Sequence, residues 1–262
     1  MKKLFVLFFF VMIFLITFVS SPSQIDNSYL ETGLVSYWEL NETSGNATDT
    51  SGTNDGIVIS AVQGVTGKID TAYSFNATSN RVDIYRNSGL NTLADGNHTF
   101  NMWVLVNSTA TVQRMIGLRD TSSGSHGVLM NYPTVGRMRW FEGSGSDNKA
   151  LDSANTTLNN NRWIMLTFVL RGTNMTMYVD GRLDNYTTMT SGTGSDSNFT
   201  LGSDGVDCTT QCFRGLMDEV GIWNRTLNTT EISDLYNNGA GLAWQGGDTA
   251  LTITLNAPAN AL

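Results

Sequence analysis

Side chains able to do acid–base or nucleophilic chemistry are sparse in this sequence, and their spacing restricts what they can do. A retaining glycosidase needs two carboxyl groups about 5.5 Å apart, and alternate residues of one β-strand provide that because they share a face. No predicted strand carries such a pair. Asp218 and Glu219 are neighbours and are expected on opposite faces; Glu39 has Asn41 two residues on, Asp83 has Tyr85, and Glu142 has no acidic partner. The histidines, His98 and His126, support no Ser–His–Asp arrangement. The expectation is a protein that is not an enzyme.

Binding chemistry is better represented. Sugars stack their apolar faces on aromatic rings while amides, carboxylates and guanidinium groups bond the hydroxyls. The run Arg137–Glu142 alternates so that Met138, Trp140 and Glu142 share one face, and Tyr85 and Tyr132 end predicted strands, where binding loops gather. Tyr85, Tyr132, Trp140 and Glu142 are therefore the candidate ligand contacts, with core or rim packing as the competing role for Trp140. Calcium takes six to eight oxygens from loop side chains and carbonyls, and the segment Asp49–Asp55 is rich in them. The same residues can instead form Asx turns on their own backbone. Cys208 and Cys212 sit four apart; in an exported chain the default is a small disulfide loop, and a zinc pair would need ligands that two distant histidines do not supply.

The address comes from the N-terminus. Met1-Lys2-Lys3, the apolar run Leu4–Val19 and Ser20-Ser21-Pro22-Ser23 follow the order of a secretory signal. Residues 1–23 are therefore expected to be a signal peptide or an N-terminal anchor, the only contact with a membrane, and the chain secreted or held at the cell surface. A net charge of −8 with no basic cluster beyond Lys2–Lys3 excludes a nucleic-acid partner. Eleven Asn-x-Ser/Thr triplets, from Asn41 to Asn228, would make it a glycoprotein in a host that modifies them.

The elements that must position these residues read as strands. Charged residues are only 15% and Gly reaches 26, which favours short strands joined by many turns. Apolar or alternating runs recur at Gly33–Leu40, Ile57–Ile59, Ala72–Phe75, Arg81–Tyr85, Phe100–Val106, Gln113–Leu118, Gly127–Asn131, Arg137–Glu142, Trp163–Leu170, Met175–Val179, Phe199–Leu201 and Phe213–Trp223. Asp180-Gly181 between two such runs predicts a type I′ hairpin turn. One short helix is predicted over Thr229–Asn238, capped by Asn228 or Thr229 and packed over one end of a sandwich. One large domain is expected over 31–245. Residues 246–262 read as a linker and the first strand of a following domain.

Four segments in order resemble the laminin G-like branch of the concanavalin A-like lectin/glucanase superfamily. They are Gly33–Glu42 with Ser44-Gly45, Asp49 and Ser51-Gly52; Gly67–Phe75 with Arg81–Ile84; Phe100–Val106, with Trp103 in the family's usual core position; and Trp163–Leu183 with Phe213–Leu227 and the Glu231 helix. The resemblance implies an all-β, antiparallel two-sheet jelly-roll sandwich with rim loops. It implies glycan-binding, adhesive or glycosidase activity, and the family's glucanases carry Glu-x-Asp strand motifs that this chain lacks. It also implies a structural calcium ion near Asp49, Asn54 and Asp218, with Asn41 standing where Asp is common. The reading is a non-catalytic extracellular recognition module for carbohydrate. The alternative is a structural or adhesive domain of a larger surface protein with a cell-surface protein partner.

Overall fold

The computed structural model describes residues 28–76, 79–85, 90, 97–107, 112–118, 136–142, 149–154, 161–189, 199–203 and 212–244. Alternation of apolar side chains builds two antiparallel sheets. The larger contains β1 (Leu34–Trp38), β3 (Val62–Thr66), β4 (Thr71–Asn76), β6 (His98–Val106), β10 (Trp163–Arg171), β11 (Asn174–Val179), β12 (Arg182–Thr188) and β14 (Arg214–Trp223). Its order is β12-β11-β10-β6-β14-β4-β3, with β1 also pairing with β14. The smaller sheet runs β2 (Gly56–Ile59), β5 (Arg81–Ile84), β13 (Phe199–Leu201) and β7 (Ile116–Leu118), and β8 (Arg139–Glu142) pairs with β9 (Lys149–Asp152) as a separate hairpin.

The inner face of the larger sheet presents Phe100, Met102 and Val104 from β6 and Leu166 and Phe168 from β10 to Val82, Ile84, Phe199 and Leu201 of the smaller sheet. Each such side chain, fully buried, contributes roughly 1.5–3 kcal/mol. The intervening residues point the other way: Trp103, Met165, Val169 and Trp223 make a second apolar layer on the outer face. Helix α2 (Thr229–Tyr236) covers it with Ile232 and Leu235, and the short α1 (Ser28–Glu31) adds Leu30. The helix thus lies on the outer face of the larger sheet instead of closing one end of the sandwich, because the tryptophans that need covering protrude there. Tyr236 stacks on Trp103 with centroids 5.7 Å apart.

Local signals set the boundaries. Asn228 caps α2 by accepting from the Thr230 and Glu231 amides, Glu231 completes the capping box, and Asn237 closes the helix at φ 46°. Asp180 (φ 50°) and Gly181 (φ 74°) adopt the left-handed pair that a type I′ turn requires. Strand β14 forks: Arg214–Met217 pair with β4, whereas Val220–Trp223 pair with β1. Between the two halves a bulge at Asp218–Gly221 shifts the register against β6, with Glu219 at φ 51°.

Candidate functional site

The hairpin β11–β12, laid beside β10, presents three cross-strand rows outward. The register pairs Arg171 with Asn174, Val169 with Thr176 and Thr167 with Tyr178. It continues from Asn174 to Thr188, from Thr176 to Tyr186 and from Tyr178 to Leu183. Tyr186 and Leu183 are three residues apart and would face opposite ways on a regular strand. The register shift opposite Met177/Tyr178 leaves Asp184 as the extra residue and returns both to one face.

A groove of about 660 Å³ runs over these rows, lined on one side by Arg171, Asn174, Tyr178, Leu183 and Tyr186. The segment Thr226–Thr229 forms the other wall. Thr99 on β6 fixes that wall: its hydroxyl donates to the Arg225 carbonyl at 2.8 Å and accepts the Leu227 amide at 3.0 Å. Tyr186 is 71% exposed and Leu183 58%, so an apolar surface lies open beside polar groups. Burial raises the Tyr178 phenol, keeping it a neutral donor. Asn228 spends its side-chain oxygen on the helix cap, and Asn174 Oδ1 accepts from Thr188 Oγ1 at 3.1 Å. Arg171 and the Asn174 side-chain amide stand among the polar groups of the groove, with the hydroxyls of Thr176, Tyr178 and Thr229. Sequence reasoning missed this face, although the alternation of Thr176 and Tyr178 against Met175 and Met177 carried the signal.

Of the residues singled out from sequence, Tyr85, Trp140 and Glu142 do not line this groove, and Trp140 and Glu142 meet each other instead. Tyr85 is 61% exposed and follows β5 on the smaller sheet, away from the groove, and Tyr132 lies outside the described residues. Trp140 has no exposed surface: it meets Phe168 edge-on at 5.0 Å, within the inter-sheet core, and as placed offers no ring face to a sugar. Glu142 is an internal acceptor, taking the Trp140 indole N–H at 3.0 Å and lying 2.8 Å from His98 Nε2. Cys212 is buried; Cys208 lies outside the described residues.

Of the trio suggested for calcium, Asp49 is held by protein donors on both oxygens and Asp218 on one. Asp49 Oδ1 accepts the Tyr37 amide at 2.9 Å and the Ser51 amide at 3.2 Å, and Oδ2 accepts the Asn54 amide at 3.0 Å. These N–H groups supply the charge compensation that a cation would give, in the manner of an Asx turn. Asn54 donates to Ser36 Oγ at 2.6 Å, and Asn41 Oδ1 accepts the Thr71 amide at 3.0 Å. Asp218 Oδ2 takes the Lys68 and Ile69 amides at 2.8 and 3.0 Å. Among the described residues no three His, Cys, Asp or Glu side chains are grouped to hold a metal. Both Asp49 oxygens are satisfied by amides, whereas Asn54 Oδ1 and Asp218 Oδ1 are buried without a hydrogen-bond partner.

The bulge in β14 overrides strand alternation, so the adjacent Asp218 and Glu219 are both buried, at 0% and 2% exposure. Desolvation pushes the Asp218 carboxyl up to about 7, and its Oδ1 is buried without a hydrogen-bond partner. Desolvation, with the charges of Asp218, Glu39 and Asp70 nearby, pushes Glu219 up to about 9. Tyr37 donates its hydroxyl to Glu219 at 2.5 Å. Burial denies these carboxyls a substrate.

Comparison with known proteins agrees with this architecture. The family model for the concanavalin A-like lectin/glucanases superfamily matches residues 76–233. No curated protein matches in sequence. The binding domain of Paraclostridial Mosquitocidal Protein 1 is similar at TM-score 0.64 and 16% identity, over 80% of this chain and 53% of that one. Trypanosoma rangeli sialidase, in complex with 2,3-difluorosialic acid, is similar at 0.63 and 17%, over 81% and 34%. A botulinum neurotoxin type C structure is similar at 0.64 and 13%, over 80% and 52%. The chain therefore spans about half of the toxin chains and a third of the sialidase, and at these identities the likeness is one of fold. With more than half of its length matched by the family model, this chain belongs to the concanavalin A-like lectin/glucanase superfamily.

Proposed function

We propose that this protein is a non-catalytic, extracellular recognition module that binds carbohydrate in the groove over β10–β12. The observation that carries the reading is the open ring of Tyr186 beside Arg171 and Asn174 in one groove. An aromatic face next to planar hydrogen-bonding groups suits a sugar, whose apolar face and hydroxyl rim are the complement. The cell entry of botulinum neurotoxin type C, one of the similar folds, depends on two ganglioside molecules; that property belongs to a chain about twice the matched length. We place the protein outside the cell on the signal-like residues 1–23, and pair Cys208 with Cys212 there.

A glycan array probed with the full-length exported chain tests the reading. The expected outcome is a defined set of hits, weakened at least tenfold by Tyr186→Ala with unchanged circular dichroism. A blank array from the folded protein would overturn it in favour of an adhesive spacer.

A further inference from the structure

We infer that the groove selects a saccharide carrying a carboxylate, and that Arg171 is the residue that reads it. This inference rests on the glycan-binding reading above. Among the described residues Arg171 is the one charged side chain lining the groove, and no acidic side chain lines it, although the chain has 23 acidic residues against 15 basic ones. Four of the other arginines are neutralised: Arg81 by Asp83, Arg139 by Asp152, Arg162 by Asp180 and Arg225 by Glu231, at 2.5–2.8 Å. Among the described residues no carboxylate forms an ion pair with Arg171. The guanidinium is a planar fork that matches a carboxylate with two parallel hydrogen bonds.

Its position fits the aromatic platform. The Arg171–Asn174–Thr188 row is adjacent to the Val169–Thr176–Tyr186 row. Successive same-face rows lie about 7 Å apart along the strands, a step that one sugar ring bridges with its apolar face on Tyr186 and its acid group at Arg171. On the facing wall Asn228 and Thr229 begin α2, and the first turn of a helix favours an anion over a cation. The acidic Glu231 in that turn is already matched by Arg225 at 2.8 Å. A neutral sugar would offer the guanidinium only hydroxyl oxygens, which accept weaker hydrogen bonds than a carboxylate does.

Titration calorimetry on the full-length chain tests the assignment with sialyllactose and a hyaluronan tetrasaccharide, which separate sialic from uronic acids, and with the methyl ester of each. The expected result is that at least one free acid binds and that esterification weakens it roughly tenfold or more. Arg171→Gln should cause the same loss for the acid and a clearly smaller one for the ester, and added salt should weaken the acid more than the ester. Equal binding of acid and ester, with both lost in Tyr186→Ala, would overturn the carboxylate inference and leave the glycan reading standing. Binding of neutral glycans alone would do the same. If no acid, ester or arrayed glycan binds the folded chain, both readings fall.

Discussion

Replacing Glu219 with Gln, alone and together with Asp218→Asn, should flatten a pH dependence that the wild-type fold cannot avoid. The folded pKa of Asp218 stands at about 7 and that of Glu219 at about 9, whereas unfolded carboxyls titrate near ~4. Between those limits the folded chain holds protons that the unfolded chain has released, so stability is highest at low pH and falls as pH rises. One such proton gives about 1.4 kcal/mol per pH unit, or roughly 2.7 kcal/mol from pH 5 to pH 7. For a domain of this size that is a fall of about 5–11 °C in melting temperature. Among the described residues no ion pair offsets the cost: Asp218 rests on the Lys68 and Ile69 amides and Glu219 on the Tyr37 hydroxyl. Both amide variants keep an oxygen to accept those bonds. Thermal melts by circular dichroism across pH 5–8 should show the wild type losing stability, the Glu219→Gln variant losing less, and the double variant nearly level. A wild-type melting temperature that is flat or rises over this range, or a double variant with the wild-type slope, would refute the reasoning.

Two further outcomes follow from the packing. Trp140→Ala should cost about 3–5 kcal/mol in chemical denaturation, because it opens a cavity between Phe168 and the His98–Glu142 pair; at temperatures where the variant is folded, glycan affinity should match the wild type, and a selective loss of binding would return Trp140 to the site. Calcium and EDTA should leave the melting temperature within about 1 °C of each other, while Asp49→Ala lowers stability by at least about 2 kcal/mol by stranding the buried Tyr37 and Asn54 amides; a calcium-dependent rise that vanishes in the variant would instead restore a cation to that loop.

Elements with a strong local signature were legible in the sequence. The Asp180-Gly181 turn, the Asn228–Glu231 capping box and the long apolar strands around Trp103 and Phe168 lie where composition and spacing put them. Strand β3 was not legible, because Val62–Thr66 is exposed or half-buried, interrupted by Gly64 at φ 71° and irregular in register. The site was harder still. Alternation sorts residues by face but cannot say which face is buried between sheets, so Trp140 stood out as a contact while the open Tyr186 was passed over. The bulges hid the rest: one residue of slippage puts Leu183 beside Tyr186, and another buries Asp218 and Glu219 together.

The Arg225 side chain knots the beginning of the described fold to its end. It donates to the carbonyls of Tyr29 at 3.0 Å and Thr32 at 2.5 Å while gripping Glu231, and Trp223 donates to the Leu30 carbonyl at 2.6 Å close by. Trp244 closes the same corner by stacking on Tyr37 at 4.8 Å. Tension applied between the two ends would therefore be taken up at this corner, peeling β1 from β14 before it reached the long strands behind. The next residues after the knot are Thr226–Thr229, the far wall of the groove. A mechanical load on the ends would thus reach the wall of the groove before the long strands of the sandwich.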